Sequence, residues 1–409
     1  MPPTRRQILR RRRVAAGAVL AVVLGTGAYV PVTLLAPVGS AVASVAPADV
    51  PDLPVSVPAF PDFGASAIGA IGFDGVLAAG GSADPRPIAS ISKIVTALMV
   101  LEEHPLAAGE DGPSITFTSA DVALYAKYAA VGGKVEPVTA GLTLTQREAL
   151  EVVLVSSANN YAESMADWAF GSTSGFTSAA DTWLTSQGLT QTRLVEPTGM
   201  SPLNVSSTAD LVGIAKLALA NETIAGIVRS STADVPFIGA IENSNTILGI
   251  DGIDGIKTGT LDEAGSCLLF SADVAVGSAT VTVVGVVLGA VDRTSVNDAV
   301  RSLLDSAAAG FHEVSLTVEG EEFASYATEW DQRATAVAAS ATSVVVWSDT
   351  PVTEEVDALD VASGASGDPV GQVRFRIGDA VIEVPLVLSG EIGDPGVWWR
   401  LSHPLNLIS

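Results

Sequence analysis

The chain has 409 residues, of which 45 are acidic and 21 are lysine or arginine, so its formal net charge is −24. Negative charge of this size argues against nucleic acid as a partner, because the phosphate backbone binds basic surfaces. It also argues against a basic amphipathic helix that would hold the body of the protein to anionic lipid. The length is sufficient for two domains.

The N-terminal segment is the basic part of the chain. Residues 1–13 hold six arginines and no acid, and residues 14–36 carry no charge. We interpret the first range as a cationic cytoplasmic flank. The second is a signal anchor, since its length spans a bilayer, or the apolar region of a signal peptide that is cleaved near Ala41-Val42-Ala43. Either interpretation predicts an extracytoplasmic protein, anchored to the cell membrane through this segment or secreted to the cell wall.

The next residues predict a linker and then a compact domain. Residues 37–56 are rich in Pro, Ala, Val and Ser and lack periodicity, which is typical of a linker. We expect a catalytic domain over residues 57–312. Near its start, Phe73-Asp74-Gly75 is a hairpin signal between two apolar runs in residues 66–79.

A possible nucleophile lies at the start of a predicted helix over about residues 88–103. Ser90-Ile91-Ser92-Lys93 places Ser90 and Lys93 three residues apart, on one face of a helix. A serine hydroxyl needs a base to become a good nucleophile. Lowering a lysine pKa by about 3 units, so that it serves as that base, corresponds to about 4 kcal/mol. Burial and a nearby cation such as Lys257 would both lower this pKa, although an ordinary amphipathic helix start could contain the same residues.

A second polar motif interrupts the helical part of the domain. The pattern predicts helices over about 119–128, 145–171, 177–187 and 208–220. Small polar residues, Ser157-Ala158-Asn159, break the longest of them. The functional interpretation is that Ser157 passes a proton to the leaving group and Asn159 holds the substrate backbone. A polar connector between helices is the other interpretation, because Ser and Asn favour such positions.

The third motif, Lys257-Thr258-Gly259, begins an antiparallel meander of predicted strands at about 255–260, 266–273 and 280–291. Lys257 and Thr258 offer a charge and a hydroxyl to a terminal carboxylate, and Gly259 allows close approach to the strand. The amides of Ser90 and Thr260 are candidates for an oxyanion hole. The alternative for this motif is a charged turn at a strand start.

The end of the domain and the rest of the chain differ in pattern. Ser295-Val296-Asn297 resembles the second motif but follows the third, so we interpret it as the start of a helix over about 295–310. From residue 313 to residue 409, apolar and polar residues alternate between turns, which predicts a small all-β domain. Gly378-Asp379 fits a hairpin turn there, and the alternation in "GVWWRLS" predicts a strand near the end of the chain. Trp398 and Trp399 could stack on sugar, but packing is favoured.

The sequence predicts no cofactor and no metal site. His104, His312 and His403 form no spaced cluster, and a zinc site needs three or four ligands. The single cysteine, Cys267, excludes an internal disulfide and lies in an apolar strand, which predicts a small buried thiol.

The order S-x-x-K, S-x-N and K-T-G marks serine enzymes that form an acyl-enzyme on D-alanyl peptides or β-lactams. The chain resembles the serine-type D-Ala-D-Ala carboxypeptidases, the low-molecular-mass penicillin-binding proteins. The likeness extends to "PIASISKIVTALMVLE", to "IDGIKTGT" with "AGSCL", and to "VVLGAVDR". In the family the last segment supplies an arginine that binds the carboxylate, which implies a substrate contact for Arg293. Ala158 and Asn160 depart mildly from the family pattern.

The resemblance implies an α+β fold with an antiparallel sheet flanked by helices, the penicillin-binding and β-lactamase-like transpeptidase fold. It implies a D-Ala-D-Ala carboxypeptidase that acts on peptidoglycan stem peptides and is inhibited by β-lactams. Ser90, Lys93 and Ser157 would be catalytic, and the substrate would be bound by Asn159, Lys257, Thr258, Gly259, Thr260 and Arg293. A β-lactamase or transpeptidase on the same scaffold, or a non-catalytic wall-binding protein, is the alternative. Glu196, the nearby candidate for a deacylating glutamate, is interpreted as a turn residue.

Overall fold

The structure is a computed structural model that describes residues 4–48, 50 and 52–407. Its contacts divide the chain into two units, residues 55–313 and residues 1–54 with 314–409. We call the first the catalytic unit and the second the β unit. Residues 1–3 of the predicted flank, 49 and 51 of the predicted linker, and 408–409 of the predicted β domain lie outside the described residues.

The helices and strands are numbered in chain order. The α-helices are α1 Arg5–Leu35, α2 Ser92–Glu103, α3 Ser119–Ala130, α4 Gln146–Glu151, α5 Asn159–Phe170, α6 Thr173–Ser186, α7 Thr208–Ala220, α8 Glu222–Val228, α9 Arg293–Ala308 and α10 Gly396–Ser402. The strands up to residue 290 are β1 Ser44–Val45, β2 Ala65–Ala70, β3 Ala78–Gly81, β4 Arg86–Pro87, β5 Ser114–Thr116, β6 Thr143–Thr145, β7 Val205–Ser206, β8 Thr232–Val235, β9 Gly239–Glu242, β10 Ile253–Leu261, β11 Gly265–Val276 and β12 Ala279–Ala290. The later strands are β13 Phe311–Thr317, β14 Glu322–Ala327, β15 Arg333–Ala338, β16 Thr342–Trp347, β17 Val352–Ala358, β18 Pro369–Ile377 and β19 Ala380–Ser389.

The catalytic unit is built on a five-stranded sheet in the order β10-β11-β12-β2-β3. Every neighbouring pair is antiparallel, as the predicted meander and hairpin require. Helices α7 and α9 both contact β12, and the central strands are buried nearly throughout. The predicted α+β architecture is therefore confirmed, because apolar strands of this length need cover on their faces.

The nucleophile segment forms the central helix of this unit. A 3-10 turn at Ala89–Ile91 leads directly into α2, so Ser90 precedes the α-helix proper. All residues from Ser92 to Leu101 are buried. Ala89 has a φ of 46° in the left-handed region, which costs energy for a residue with a Cβ and is found most often at functional sites.

The remaining helices of the catalytic unit follow the predicted ranges within a few residues. The exception is α8, which the pattern did not predict. Asn221 ends α7, and its side-chain oxygen accepts a hydrogen bond from the amide of Ile224 at 3.1 Å. The same residue therefore closes one helix and caps the next, so the chain turns without a run of loop residues.

The β unit contains a six-stranded sheet in the order β1-β14-β15-β19-β18-β17, and β13 pairs with β16. Gly378-Asp379 connects β18 to β19 as a hairpin, as predicted. The expectation of a structureless linker over residues 37–56 is wrong in part. Ser44 and Val45 pair with β14, and Ala41 forms a bridge to Val361 and is 4% exposed. Strand β1 has two residues, too few for an alternating pattern to appear in the sequence.

The segment "GVWWRLS" is a helix, α10, and not the strand that alternation suggested. Trp399 packs against Trp330, with ring centroids 5.5 Å apart, and stacks on His403. Trp398 is 84% exposed. Packing is thus confirmed for Trp399 and is wrong for Trp398.

Helix α1 is 31 residues long and apolar enough to cross a membrane. Its C-terminal part contacts α10 within the β unit. The hydroxyl of Tyr29 donates to the carbonyl oxygen of Leu401 at 2.6 Å, and the Arg400 guanidinium donates to the carbonyl of Ala36 at 2.5 Å. The C-terminal segment of the chain therefore provides hydrogen-bond partners for Tyr29 and for the Ala36 carbonyl where this helix ends.

Candidate active site

Ser90 and Lys93 are in direct contact. The Lys93 Nζ lies 2.9 Å from the Ser90 Oγ, across the junction between the 3-10 turn and α2. The same nitrogen lies 2.7 Å from the Asn159 Oδ1 and 2.6 Å from the carbonyl oxygen of Thr198. A neutral amine has two hydrogens, so donation to Asn159 and Thr198 leaves its lone pair for the hydroxyl of Ser90.

The environment of Lys93 favours the neutral amine. Its side chain is fully buried, and burial lowers its pKa from 10.5 to about 7, against an opposing effect of the Glu196 carboxylate. A group with a pKa near 7 is partly deprotonated at neutral pH, which is the range in which a general base is effective. Burial, rather than a second cation, is the main cause.

The second motif lies where one helix ends and another begins. Residues Val152–Ser156 form a π-helical turn, Ser157 adopts the left-handed conformation with φ of 70°, and α5 starts at Asn159. Short π segments are frequent at functional sites. Asn159 is held by its amide, which donates to the carbonyl of Lys134 at 2.8 Å. The interruption predicted from small polar residues is therefore present.

The third motif is in β10, beside Ser90. Gly259 faces the turn before α2: a Cβ at this position would lie 3.0 Å from the carbonyl oxygen of Ile88 and 3.3 Å from the Ser90 nitrogen. A side chain here would crowd Ser90, so glycine is needed for β10 to lie this close to the turn before α2. The third motif is part of a strand, and the alternative of a turn is wrong.

Arg293 joins this edge of the site through Ser244, a residue that the sequence did not single out. The Arg293 guanidinium donates to the carbonyl of Ser244 at 2.7 Å, and the Ser244 and Thr258 hydroxyl oxygens are 2.5 Å apart. A cation and two hydroxyls thus gather at one place, a set of donors that suits a carboxylate.

These groups surround one cleft of about 580 Å³. Seven predicted site residues line it: Ser90, Ser157, Asn159, Thr258, Gly259, Thr260 and Arg293. The other two, Lys93 and Lys257, are buried beneath it, at 0% and 2% exposure. The cleft also contains residues that sequence reasoning missed, namely Lys134, Met200, Ser244, Asp262 and Glu263. Isolated residues in loops and turns carry no motif, so no local signal identified them.

Lys257 is a buried lysine that has no carboxylate partner among the described residues. Its Nζ reaches the carbonyl of Thr258 at 3.4 Å, and in the described part of the chain no acidic side chain forms an ion pair with it. Burial lowers its pKa well below the usual value, and the positive charges of Lys93, Arg293 and Lys134 lower it further. The site therefore has unsatisfied positive potential, which an anionic group of a substrate would relieve.

Glu196 is a turn residue, as interpreted from the sequence. Its carboxylate accepts hydrogen bonds from the amides of Thr198, Gly199 and Ser201 and from the Thr198 hydroxyl. It also accepts from the Asn204 side chain at 3.0 Å. With both oxygens occupied, this carboxylate has little capacity left to activate a water.

Cys267 is buried in β11, and burial raises the pKa of its thiol to about 11. A neutral thiol of this kind is a packing residue, as predicted. Among residues 4–48, 50 and 52–407, no cluster of three or more His, Cys, Asp or Glu side chains is arranged to hold a metal.

Comparison with known proteins assigns the family. The model of the D-alanyl-D-alanine carboxypeptidase family matches residues 72–292, more than half of the chain. The chain belongs to this family. It is 31% identical over 196 residues to a D-alanyl-D-alanine endopeptidase of Escherichia coli K12, covering 45% of this chain and 58% of that protein. It is 29% identical over 228 residues to the D-alanyl-D-alanine carboxypeptidase DacF of Bacillus subtilis, covering 54% and 55%. The chain thus matches a little over half the length of these curated relatives.

Solved structures of this family share the fold. The D-alanyl-D-alanine carboxypeptidase DacD of Francisella tularensis superposes with a TM-score of 0.57 at 18% identity, covering 85% of this chain and 97% of that one. Penicillin binding protein 5 of Haemophilus influenzae superposes with a TM-score of 0.57 at 16% identity, covering 85% of this chain and 100% of that one. The Streptomyces K15 DD-transpeptidase gives 0.52 at 26% identity, covering 59% and 95%. The chain therefore has the penicillin-binding D,D-peptidase fold that the motifs implied.

Proposed function

We propose that this protein is a serine-type D-Ala-D-Ala carboxypeptidase that removes the terminal D-alanine from peptidoglycan stem peptides and is acylated by penicillins. The observation that carries the proposal is the contact of Lys93 with Ser90, at 2.9 Å, where the other two neighbours of the Nζ are oxygen acceptors. This arrangement supplies a serine with a buried amine base.

In the proposed reaction, Ser90 attacks the carbonyl carbon of the penultimate D-alanine while Lys93 takes the hydroxyl proton. The amides of Ser90 and Thr260 stabilise the oxyanion. Support comes from Gly259, which brings the two chain segments together. The C–N bond then breaks, the departing D-alanine takes up a proton through Ser157, and water hydrolyses the acyl-enzyme.

The carboxylate of the leaving D-alanine would bind Lys257, Thr258 and Arg293, and Asn159 would hold the substrate backbone. Support comes from the unsatisfied positive potential around Lys257 and from its mutual repulsion with Lys93. A bound carboxylate favours the charged form of Lys257. Because two neighbouring buried ammonium groups are unfavourable, it also favours the neutral form of Lys93.

An endopeptidase activity is the second candidate, because two curated relatives, from Escherichia coli and Pseudomonas aeruginosa, are D-alanyl-D-alanine endopeptidases at 31% identity. Both reactions use the same acylation step and differ in the leaving group. A β-lactamase is less favoured, because the Glu196 carboxylate already accepts five hydrogen bonds. Transpeptidation would replace the water by an amine on the same acyl-enzyme.

Four assays on the purified protein distinguish the carboxypeptidase, endopeptidase, β-lactamase and wall-binding functions. A peptide ending in D-Ala-D-Ala should yield free D-alanine, and a fluorescent penicillin should label the protein covalently. A cross-linked peptide dimer tests the endopeptidase, and penicilloate production at high turnover would favour a β-lactamase. Absence of covalent labelling would favour a non-catalytic wall-binding protein and contradict the proposal.

We also propose that the protein is held at the outer face of the cell membrane by a retained α1. Six arginines precede its apolar part, as in a helix whose N-terminus stays in the cytoplasm. Cleavage after Ala43 would remove Ala41 from the core of the β unit. The intact mass of protein purified from membranes tests this, and loss of about 43 residues from the N-terminus would contradict it.

A further inference from the structure

The turn formed by residues 196–201 packs against the start of α2. It contains one acidic residue, Glu196, which does not line the cleft. Two of its carbonyls accept hydrogen bonds from α2. The Lys93 Nζ donates to Thr198 at 2.6 Å, and the Thr96 hydroxyl donates to Pro197 at 2.7 Å. The turn therefore fixes the position of the Lys93 amine, the proposed base, through its carbonyl oxygens.

The carboxylate of Glu196 organises this turn from within. One oxygen, Oε2, accepts from the amide and the hydroxyl of Thr198 at 2.7 and 2.6 Å. The other, Oε1, accepts from the amides of Gly199 and Ser201 at 2.7 and 3.2 Å. Four donors of a six-residue turn thus converge on one side chain, and this sets the direction of the Thr198 carbonyl.

The turn also packs tightly against the nucleophile. Gly199 has a φ of 84°, and a Cβ there would lie 1.9 Å from the carbonyl oxygen of Ala89. Asn204, which donates to the Glu196 carboxylate, donates to the Ser92 hydroxyl at 3.0 Å. A shift of the turn would therefore be transmitted to the Ser90–Lys93 pair through contacts on both sides.

We propose that Glu196 is a positioning residue for the Lys93 base: it aims the Thr198 carbonyl at the Lys93 Nζ, so that the amine lone pair faces the hydroxyl of Ser90. The proposal rests on the proposed function for the identity of the base and adds a residue that lies outside the three motifs. Glu196 touches neither the substrate cleft nor the nucleophile.

The charge of Glu196 has a second effect on the same base. Burial lowers the pKa of Lys93 and the Glu196 carboxylate raises it. Lys257 on β10 interacts electrostatically with Lys93, and burial lowers its own pKa well below the usual value. Tyr128 on α3 is coupled to Glu196 and stays neutral, because burial and Glu163 raise its pKa. Removing the charge at position 196 should therefore lower the pKa of Lys93. In a plot of acylation rate against pH, the decline on the acidic side should then occur at lower pH.

The test compares the full-length protein with Glu196→Gln and Glu196→Asp in detergent. Glutamine removes the charge and, in either orientation, places an NH₂ group against hydrogen-bond donors that now face a carboxylate oxygen. Aspartate keeps the charge, but its shorter side chain cannot reach all of these donors. We expect both variants to lower the maximal rate of penicillin acylation, on the order of 10²-fold as for about 1 Å of misplacement. Only the glutamine variant should move the decline on the acidic side to lower pH.

One further measurement and one control variant keep the outcomes distinct. The chain has five lysines, so the titration of Lys93 can be followed by NMR of lysine-labelled protein, with Lys93→Arg for assignment and without any substrate. Glu148→Gln is the matched control. Glu148 is a half-buried glutamate whose carboxylate accepts a hydrogen bond from the backbone amide of Thr145 at 2.7 Å. Its replacement should change neither the acylation rate nor the titration of Lys93.

A folded Glu196→Gln protein with the wild-type acylation rate and an unmoved Lys93 titration would overturn the inference. If that variant does not fold, the wild-type acylation rate in a folded Glu196→Asp protein would overturn it equally. If the wild-type protein is not acylated by penicillin but its Lys93 titration still responds to Glu196→Gln, the proposed function fails while the influence of Glu196 on Lys93 stands.

Discussion

The two units of this chain bury positive charge in different ways. In the β unit, Arg400 is 9% exposed and binds the carboxylate of Asp394 at 2.5 Å, which raises the pKa of the guanidinium. In the catalytic unit, Lys93 and Lys257 are at least as deeply buried, and burial lowers both pKa values. The first arrangement stabilises a charge, and the second makes a charge easy to lose.

This difference distinguishes a buried charge that stabilises the fold from buried amines that are suited to take part in a reaction. A buried cation normally obtains an anionic partner, because desolvation is otherwise too costly. The catalytic unit instead surrounds Lys93 with neutral oxygens, and it buries Lys257 beneath the cleft next to the carbonyl oxygen of Thr258. Strongly shifted pKa values that collect around one cleft indicate a functional site, and the following experiments test whether that is their meaning here.

The largest effect is expected from the nucleophile. Ser90→Ala should abolish covalent labelling by penicillin while the circular dichroism spectrum and the melting temperature stay close to those of the wild type. Ser92→Ala is the control in the same segment. Its hydroxyl donates to the carbonyl of Ala89 at 2.8 Å and not to Lys93, so this protein should still be labelled. An adduct mapped to another serine in Ser90→Ala would reject the assignment.

The two buried lysines should differ in their response to arginine. Lys93→Arg keeps the charge but supplies no neutral amine, since arginine stays protonated. We expect acylation to fall by about 10²–10⁴-fold, the usual contribution of general base catalysis. Lys257→Arg retains a cation for the carboxylate and should be milder. The opposite ranking in rates of penicillin acylation would identify Lys257 as the base.

The pH dependence tests the lowered pKa directly. Since Lys93 acts in its neutral form, acylation should decline as the pH falls through about 7. Folding also favours the neutral form, so the unfolded chain binds more protons between about pH 7 and 10.5. The free energy of unfolding should therefore increase with pH in that window, by at most about 1.4 kcal/mol per pH unit for this group. Lys93→Met should remove this contribution in urea titrations at several pH values; an unchanged slope would contradict it.

The ion pair of the β unit should matter for stability and not for chemistry. Asp394→Asn removes the charge that faces Arg400, but the Asp394 side chain is 56% exposed, and exposed pairs contribute about 1 kcal/mol or less. We expect a small decrease in the melting temperature of the full chain and an unchanged acylation rate. Asp379→Asn, in the exposed hairpin turn, is the control and should change neither. A loss of acylation in Asp394→Asn would mean that the two units are functionally coupled.

Removing the whole β unit should also have little effect on acylation. A fragment of residues 55–313, close to the range 57–312 predicted from the sequence, contains every residue proposed for the site. It should be labelled by penicillin at nearly the rate of the full chain. A soluble, folded fragment without labelling would show that the β unit completes the site. Activity on intact peptidoglycan, measured in parallel, reports whether the β unit serves the natural substrate.

Much of this protein was predictable because its chemistry lies in short motifs within regular elements. Ser90 and Lys93 share a helix start, so their spacing of three residues already implied that the two side chains are in contact. Lys257, Thr258 and Gly259 share a strand, so their spacing implied that they lie together along one element. The antiparallel meander and the hairpin at Gly378-Asp379 followed from apolar runs between turn residues. The sequence misled where a pattern was short or ambiguous, as in α10, whose alternation suggested a strand, and in the segment around Ala41.

The tertiary structure decided the properties that depend on distant neighbours. The sequence suggested that burial and a nearby Lys257 would both lower the pKa of Lys93; in the structure burial is the main cause, and the Glu196 carboxylate opposes it. The role of the Thr198 carbonyl as an acceptor for Lys93 could not be predicted, because the two residues are 105 positions apart. A backbone carbonyl has no signature in the sequence: the position of each residue's carbonyl is set by how the chain is folded, and here by the hydrogen bonds that converge on Glu196.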